Sequence, residues 1–401
     1  MANTFKFGNG NWAVKDGYAL AYNDENNNFK PLPFDFTRAS SATRVNKQGL
    51  IETVGSGKPR IDFTDNTSGH LLLEPSRMNK LVRSNEFNTT WTLGSALTLT
   101  SGQTSTLTGN SDSWLLSSNG TSGFSALTQA VSISGSHTYS IFAKKGTNDL
   151  ISLRSLSGAD ARAEFNLNTG VLNSTSNTSS TEIKSYGNGW YRISMTFSAS
   201  NSFVYVYPNS IGVADAGNIY IQNAQIEAAS YATSYIPTEG SNVTRVAETN
   251  GQVVPDGIIG QTEGTVFADV DFVGVNESIT NQIFFIREEG SNNGYIFAGF
   301  YQGKLNVGLR VSGSTKFDVL LGSVLSEGSY KIAVGYSSGN TKVFINGSQV
   351  GSFDSTFGLN NFAQIFVGSG SVGTNQLGDI IRNFKIYDTR LTDTELQNLT
   401  S

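Results

Sequence analysis

Acidic side chains are the first place to look for chemistry in this sequence, because a glycoside hydrolase needs two carboxylates that face one cleft. No spacing pattern in the chain pairs any two of its acids in this way. Five of them are candidates only in the sense that any acid would be, namely Glu164, Glu182, Glu227, Asp271 and Asp379. A polysaccharide depolymerase or glycosidase therefore stays open as a rival interpretation, without assigned residues.

Nucleophilic catalysis of the triad type would have to use one of only two histidines. His70 precedes an apolar stretch in SGHLLLEP, and His137 stands among serine and glycine in SGSHTYSIF. No nucleophile-elbow motif accompanies either residue. Both are expected to be surface or turn histidines. No catalytic residue is predicted, and the leading interpretation is a protein that is not an enzyme.

The sequence also contains no motif of a known cofactor site. The chain has no cysteine and contains no P-loop, dinucleotide-binding fingerprint or zinc-ligand spacing; its GNG and GSGSVG segments are typical of turns between strands. No cofactor is predicted and the metal ligands are unknown. A Ca²⁺ ion held by loop carboxylates and carbonyls stays open, because such a site has no strict sequence pattern.

Binding chemistry is better represented, in aromatic residues at alternating positions of two predicted strands. Trp190 falls on the polar face of GNGWYRISMTF, and Phe203, Tyr205 and Tyr207 share one face of FVYVY. Rings presented in this way can stack on sugars, so these four are the candidate glycan platform. The alternative is that the rings line the core and the valines between them face outward. For Trp190 and Tyr205 taken singly, buried packing is the favoured interpretation.

The composition predicts an all-β protein with more than one domain. In 401 residues only 15% are charged, while glycine, serine, threonine and asparagine are abundant. The net charge of -5 argues against a nucleic-acid partner. No apolar run reaches the length of a membrane span and no signal-peptide core opens the chain, so we expect no membrane insertion and folding in the cytoplasm where the chain is made.

Three regions differ in texture: residues 1–75, 76–245 and 246–401. The first is divided by turns into short apolar pieces and is interpreted as an anchor segment. Its aromatic side chains either dock on a neighbouring domain, an identical subunit or a larger assembly, or they wrap the following domain, and the two interpretations are weighed evenly. The candidate anchor residues are Phe5, Phe7, Trp12, Tyr18 and Tyr22. The other two regions alternate apolar and polar residues, which predicts two antiparallel β-sandwiches of jelly-roll type.

Local signals place several elements within this plan. Asn346-Gly347 predicts a type I′ hairpin, and LTDTELQNL predicts one short C-terminal helix with a capping box. A further hairpin is predicted around Lys47-Gln48-Gly49. ATRVNKQG at 42–49 resembles VTRVAETNG at 243–251, which indicates a similar connecting hairpin before each sandwich.

The stretch FDFTRASSATRVNKQGLIETV, followed by PRIDFT and LLLEPSRMNKLVRSNEF, resembles a module of structural proteins from tailed bacteriophages, including head-fibre and tail-fibre proteins. The middle region, with YSIFAKKG and AQIEAASYATSYIPTEGSNVTR, looks like the carbohydrate-binding-module-like jelly roll of such proteins. The last region, with YKIAVGYSSGNTKVFINGSQVGSF and IRNFKIYDTRLTDTELQNL, looks like a concanavalin A-like or laminin-G-like sandwich.

This resemblance implies a virion structural protein without enzymatic activity: a head fibre or capsid decoration whose sandwiches bind host or environmental glycans. A tail fibre or receptor-binding protein is the alternative. It further implies attachment to capsid or tail proteins through residues 1–75, a homo-oligomer with a trimer favoured, and a place on the virion surface after synthesis in the host bacterial cytoplasm. It supplies no set of binding residues.

Overall fold

A computed structural model of the chain describes residues 4–8, 13–15, 18–23, 30–157, 159–272, 280–370 and 380–401. Across these ranges the chain forms antiparallel β-sheets and one eight-residue helix at the C-terminal end. The prediction of an all-β fold with a short C-terminal helix is confirmed. In the described part of the chain, no helix is long and apolar enough to cross a membrane.

The strands of the first half of the chain are β1 (Thr4–Gly8), β2 (Ala13–Lys15), β3 (Tyr18–Asn23), β4 (Lys30–Thr37), β5 (Ala42–Val45), β6 (Ile51–Val54), β7 (Ile61–Asp62), β8 (His70–Leu72), β9 (Arg77–Asn79), β10 (Thr92–Leu93), β11 (Leu97–Gln103), β12 (Ser113–Asn119), β13 (Leu127–Lys145), β14 (Leu150–Ser157), β15 (Ala159–Asn166), β16 (Val171–Ser176), β17 (Ser180–Ser185) and β18 (Trp190–Tyr207).

The second half contains β19 (Ala216–Glu227), β20 (Val243–Arg245), β21 (Thr249–Val253), β22 (Glu263–Phe272), β23 (Asn281–Glu288), β24 (Tyr295–Tyr301), β25 (Lys304–Val311), β26 (Ser314–Leu321), β27 (Gly328–Ser337), β28 (Thr341–Ile345), β29 (Ser348–Phe353), β30 (Phe362–Val367), β31 (Ile380–Tyr387) and α1 (Asp393–Thr400).

The chain divides into two compact units. Unit 1 comprises Met1–Ser41, Val54–Ser76 and Val246–Ser401, and unit 2 comprises Ala42–Thr53 and Arg77–Arg245. Most of the first 75 residues belong to unit 1, and residues 42–53 belong to unit 2.

Unit 1 is a sandwich whose two halves are joined by N-terminal strands. One half runs β28-β27-β22-β31, and the other runs β21-β30-β23-β24-β25-β26. Strand β1 pairs with β31, β3 pairs with β1 and β4, and β4 pairs with β21, so these strands connect the halves. The core between the halves is built from alternate residues such as Val266 and Ile286, both fully buried.

The N-terminal aromatics were expected to form an anchor, and the structure corrects this for Phe5. Its side chain is 1% exposed and packs in the unit 1 core together with Phe36. The segment buries these rings by adding strands to a sheet of its own chain, so Phe5 has no surface to offer a partner. Of the other candidates, only the backbone is described for Phe7, Tyr18 and Tyr22, and Trp12 lies outside the described residues.

The FDFTRASS stretch holds unit 1 together through a buried charged side chain. Arg38 donates to the Glu248 carboxylate at 2.6 Å and to four backbone carbonyls, among them that of Gly55 at 2.6 Å. Arg60 donates to both oxygens of Glu248, at 2.7 and 2.5 Å, and pairs with Glu74 at 2.7 Å. Two arginines and two glutamates thus balance their charges out of contact with water, which a buried ionic group requires.

The hairpin predicted around Lys47-Gln48-Gly49 is formed by β5 and β6. Asn46 closes it, because its backbone amide donates to the Leu50 carbonyl at 2.8 Å and its side-chain oxygen accepts from the amides of Gln48 and Leu50. The similar stretch at 243–251 does not repeat this hairpin. There, β20 pairs with β9 and β21 pairs with β30 and β4, so the prediction of a second connecting hairpin was wrong.

Unit 2 is built around two long strands, β13 and β18, which pair along most of their length. A register shift between Val131 and Ser134 separates two sheets that share these strands. The sheet on the N-terminal side of β18 includes β17, β19, β12 and β11. The sheet on its C-terminal side includes β14, β15 and β16. Tyr191, Ile193, Met195 and Phe197 of β18 all contribute to the unit 2 core.

The C-terminal elements follow their local signals. Asn346 and Gly347 have φ angles of 45° and 77°, as a type I′ turn between β28 and β29 requires. Thr392 caps α1 and forms the predicted capping box with Glu395. Leu396 of the helix is buried and Leu391 packs against the same cluster, as in a hydrophobic staple.

The two histidines are buried, so the expectation of surface positions was wrong. His70 is 1% exposed on β8, and its Nε2 lies 3.5 Å from Oδ1 of Asp62 on the paired strand β7. His137 is 1% exposed on β13, with Nδ1 3.2 Å from the carbonyl oxygen of Gly135. Burial lowers the pKa of His137 and favours its neutral form.

Candidate functional site

The outer surface of the β18-β14-β15 sheet in unit 2 brings aromatic and charged side chains together. Strand register places Phe203 beside Leu156 and Tyr205 beside Arg154, and it places Asp160 and Arg162 on the next strand. We call the surface formed by Phe203, Tyr205, Leu156, Arg154, Asp160 and Arg162 the aromatic face.

The structure decides which side of β18 carries the rings. Val204 and Val206 are fully buried in the unit 2 core, so the row of rings points outward and the alternative of inward rings was wrong. Phe203 is 50% exposed and Tyr205 is half-buried. Tyr207 is only 3% exposed, which corrects its assignment as a platform. The centroids of Tyr205 and Tyr207 are 6.1 Å apart with nearly parallel planes, so Tyr207 stacks on Tyr205 at the buried end of the row.

The charged residues of the aromatic face are held rigidly. Arg154 forms a two-point ion pair with Asp160 at 2.7 and 3.0 Å, and its guanidinium lies 5.7 Å from the Tyr205 ring centroid. Arg162 also donates to Asp160, at 3.0 Å from Nε. Hydrogen bonds from Arg162 and Arg154 lower the pKa of Asp160 to about 2. The carboxylate therefore stays ionised at neutral pH and fixes both guanidinium groups in place.

Trp190 does not belong to this surface. Its side chain is 1% exposed and packs with Leu107, Phe142 and Tyr235 in a separate buried cluster. The polar side of β18 near Trp190 is covered by other parts of unit 2, so the ring has no face free for a sugar. Its assignment as a glycan platform is corrected, and the buried alternative holds for this residue.

The acids considered for hydrolysis do not form a pair around one cleft where they are described. Glu227 is fully buried and accepts hydrogen bonds from Thr233, and Asp271 is held in an ion pair by Arg382. Glu164 accepts from Ser152 at 3.2 Å, on the strand next to its own. Asp379 lies outside the described residues. Within the described ranges no cluster of three or more potential metal ligands occurs.

Several residues of the aromatic face were missed by the sequence analysis. Leu156, Arg154, Asp160 and Arg162 alternate with buried residues in LISLRSL and DARAEFN, so their period of two was readable. What the sequence did not contain was the pairing of β14 with the C-terminal end of β18, which lies about 50 positions further along the chain. The sequence therefore showed that β14 and β15 are amphipathic strands, but it did not show that they pair with β18.

Comparison with known proteins finds a family model that matches part of unit 1. Residues 247–397 match the family model of the concanavalin A-like lectin/glucanases superfamily. The resemblance of the C-terminal region to a concanavalin A-like sandwich is thereby confirmed. No curated protein sequence matches the chain.

Several solved structures match part of the chain at low identity. The CBM40 domain of the Ruminococcus gnavus IT-sialidase is 16% identical, over 35% of this chain and 84% of that one, with a TM-score of 0.32. Domain 4 of the GH43 extracellular arabinanase of Geobacillus stearothermophilus, in complex with arabinotriose, is 17% identical over 43% and 82%, with a TM-score of 0.32. The heptameric SAP-like pentraxin of Limulus polyphemus is 18% identical over 36% and 72%, with a TM-score of 0.28. At such TM-scores these likenesses assign neither ligand nor activity to this chain.

Proposed function

We propose that the chain is a non-enzymatic structural protein of a tailed-bacteriophage virion, a head fibre or capsid decoration, and that it binds host or environmental glycans. The observation that carries the glycan-binding part is the aromatic face, where a half-exposed Phe203 stands beside Leu156 and a rigid arginine–carboxylate pair. The superfamily match of residues 247–397 supports carbohydrate as the class of ligand, since that superfamily is described by its lectins and glucanases.

The chemistry of the aromatic face suits a sugar ring. The C–H groups of a pyranose can pack on the exposed surface of Phe203 and on Leu156, which is 41% exposed. Arg162 keeps 42% of its side chain exposed, and its Nη1 makes no hydrogen bond to a described residue. That group can donate to a hydroxyl. Asp160 is already bonded by two guanidinium groups, so it positions the donors and does not receive the ligand.

Binding is tested with Phe203→Ala in the full chain on immobilised bacterial polysaccharides. We expect about a tenfold loss of affinity, equivalent to about 1.4 kcal/mol. Phe124→Ala is the matched control, because Phe124 is 72% exposed in a loop of unit 2 that does not belong to the aromatic face. Equal affinities of the two variants and the wild type would remove the aromatic face from the proposal.

The rival function, a polysaccharide depolymerase, is separated by one further assay on the same polysaccharides. Binding without release of reducing ends supports the non-enzymatic function. Release of reducing ends at catalytic turnover, and its loss on substitution of an acid, would replace the proposed function by hydrolysis.

The virion role is supported by the resemblance of residues 34–87 to phage structural modules, and the expected homo-oligomer and surface position follow from the same resemblance. Deleting residues 1–75 would be a poor test, because it removes Phe5, Phe36 and the Arg38 and Arg60 side chains from the interior of unit 1. Antibody labelling of intact particles is cleaner. Label on heads supports a head fibre or decoration, label on tails selects the tail-fibre alternative, and protein found only outside particles contradicts the virion role.

A further inference from the structure

A polar cleft lies on the outer surface of the β28-β27-β22-β31 sheet in unit 1. Helix α1 covers the apolar part of this surface by packing Leu396 against Phe267, Ala333 and Phe344. The uncovered part forms a cleft of about 380 Å³, at the small end of the range for small-molecule sites. Its lining consists of Asp269, Ser329, Lys331, Asn346, Arg382, the last helical residue Thr400 and the C-cap residue Ser401.

Asp269 is the acceptor of this cleft that stays available. It is partly buried, and no described residue donates a hydrogen bond or forms an ion pair to it. Three cations act on Asp269, and each makes its contact elsewhere. Arg382 forms a two-point ion pair with Asp271, Lys331 Nζ donates to the Ser401 carbonyl, and Lys385 Nζ lies 5.4 Å from the Phe267 ring centroid. Burial raises the pKa of Asp269. A carboxylate that has lost part of its hydration without gaining a protein donor is well suited to accept from a ligand.

The hairpin turn fixes a donor, Asn346, that lines the same cleft as Asp269. Lys331 lies directly opposite Asp269 in the β22-β27 pair. Asn346 is tied to the same residue, since its backbone amide donates to the Lys331 carbonyl at 2.9 Å and its Oδ1 accepts from the Lys331 amide at 2.8 Å. This leaves Nδ2 of Asn346 free to donate. Because the turn geometry holds Asn346, its amide group is oriented before any ligand arrives.

We propose that the polar cleft binds a neutral sugar unit through two adjacent hydroxyl groups, one donating to Asp269 and the other accepting from Asn346. The cleft disfavours a cationic ligand as well as an anionic one, because it contains side chains of both charges. A cation would meet Lys331, Lys385 and Arg382, whose charges act on Asp269, and an anion would meet Asp269 and Asp271. A hydroxyl pair satisfies both protein groups without adding charge. This site is separate from the aromatic face and does not depend on it.

The test uses the full chain carrying Phe203→Ala, so that the aromatic face contributes no signal. The probes are the methyl glycosides of glucose, galactose and mannose, with sodium acetate and tetramethylammonium chloride as charged probes. The measurement is the NMR shift of the Asn346 side-chain amide during titration. We expect at least one glycoside to shift this signal and neither charged probe to do so.

Two substitutions and one control locate the site. Asp269→Asn keeps the shape and removes the charged acceptor. Asn346→Gly keeps a residue that tolerates the left-handed backbone of the turn and removes the donor. Each is expected to weaken glycoside binding about tenfold or more, followed for Asn346→Gly by saturation transfer to the ligand. Asp256→Asn removes the same charge from an exposed turn of unit 1 and is expected to bind as the parent does.

Three results would overturn the proposal: no glycoside shifts the Asn346 amide, a charged probe shifts it while the glycosides do not, or Asp269→Asn binds like Asp256→Asn. Amide spectra of each variant, compared with the parent, show whether the fold is retained. These outcomes concern unit 1 alone, so they are distinguishable from a failure of the aromatic face to bind polysaccharide.

Discussion

Each unit carries an aromatic cluster on the outer side of a sheet, and the two clusters differ in how far they are open to solvent. In unit 1, Phe285, Phe297 and Phe366 lie on the outer side of β30-β23-β24 and are only 6–7% exposed. In unit 2, Phe203 occupies an equivalent outward position and is 50% exposed. Residue type and strand parity are the same in the two places.

Glycine explains the difference. Gly308 lies directly opposite Phe297, and a Cβ atom there would come within 2.3 Å of the ring. Gly251 stands in the same relation to Phe366, with 2.6 Å. The rings of unit 1 therefore lie flat over bare backbone and cover one another. Phe203 lies opposite Ala130 and Leu156 on its two neighbouring strands, so there is no glycine over whose backbone its ring could lie.

A guanidinium completes the closed cluster of unit 1. Arg287 lies 5.3 Å from the Phe366 ring centroid and donates to Gln364 and Asn292. In unit 2 the corresponding guanidinium, that of Arg154, is pinned to Asp160 and leaves Phe203 uncovered. An outward aromatic row can meet a ligand only where its neighbours keep the rings upright. By this criterion the unit 1 cluster stabilises the fold and the unit 2 row can meet a ligand.

The strongest test of this contrast is Phe285→Ala, at the centre of the closed cluster. Its ring lies 5.4 Å from Tyr295 and 6.5 Å from both other phenylalanines. We expect a loss of about 3 kcal/mol in the free energy of unfolding of unit 1, because a nearly buried ring is replaced by a cavity. Urea unfolding followed by circular dichroism measures it. A loss below about 1 kcal/mol would mean that the cluster is as open as the row in unit 2.

Gly308→Ala tests whether the glycine is what allows the Phe297 ring to lie over the backbone. The added methyl group displaces the Phe297 ring, and overpacking of this kind costs about 1–3 kcal/mol. Gly358→Ala is the control, since a Cβ there meets nothing within 4 Å. Urea midpoints of the two variants should differ accordingly. If both unfold like the wild type, ring burial in unit 1 has another cause than the glycines.

Phe203→Ala should leave stability nearly unchanged, within about 0.5 kcal/mol, because a half-exposed surface ring loses little buried area. The same urea experiment, applied to unit 2, provides the value. A loss comparable to that of Phe285→Ala would place Phe203 among the structural rings and weaken its assignment to a ligand.

A small effect is also expected from acid. The pKa of Asp160 is lowered to about 2 by Arg162 and Arg154, so the fold stabilises its ionised form. That stabilisation is complete above the ordinary pKa of about 3.9 and is lost as the pH falls toward 2. Its size is about 1 kcal/mol or less for a partly exposed pair. Asp160→Asn should flatten the decline in the urea midpoint of unit 2 between pH 5 and pH 2. An unchanged decline would show that other acids cause it.

Features set by residues close together in the chain could be predicted from the sequence, and features set by distant residues could not. The Asn346-Gly347 turn and the helix capping box at Thr392 were both predicted, because each is decided by residues within a few positions. Trp190 was misplaced for the opposite reason. Its parity was right, but parity tells which residues share a side of a strand and does not tell what covers that side. Tyr235, which packs against it, is 45 positions away.

The aromatic face was predicted only in part, for the same reason. Phe203 and Tyr205 were found from alternation within one strand, whereas Arg154 and Asp160 reach them through pairing between β18, β14 and β15. The Asp269 cleft was not predicted at all, since its acceptor and its donor come from strands more than 70 positions apart in the chain.

The sequence by itself determined the all-β class, the type of the local turns, the helix cap and the side of each strand on which a residue stands, because these depend on backbone preference and on alternation between neighbours. The tertiary structure alone decided that N-terminal strands complete unit 1, that Arg38 meets Glu248 across 210 positions, and which outward rings stay in solvent. The exposure of a side chain depends on which neighbour packs on it. Where that neighbour is distant in the chain, only the strand register identifies it.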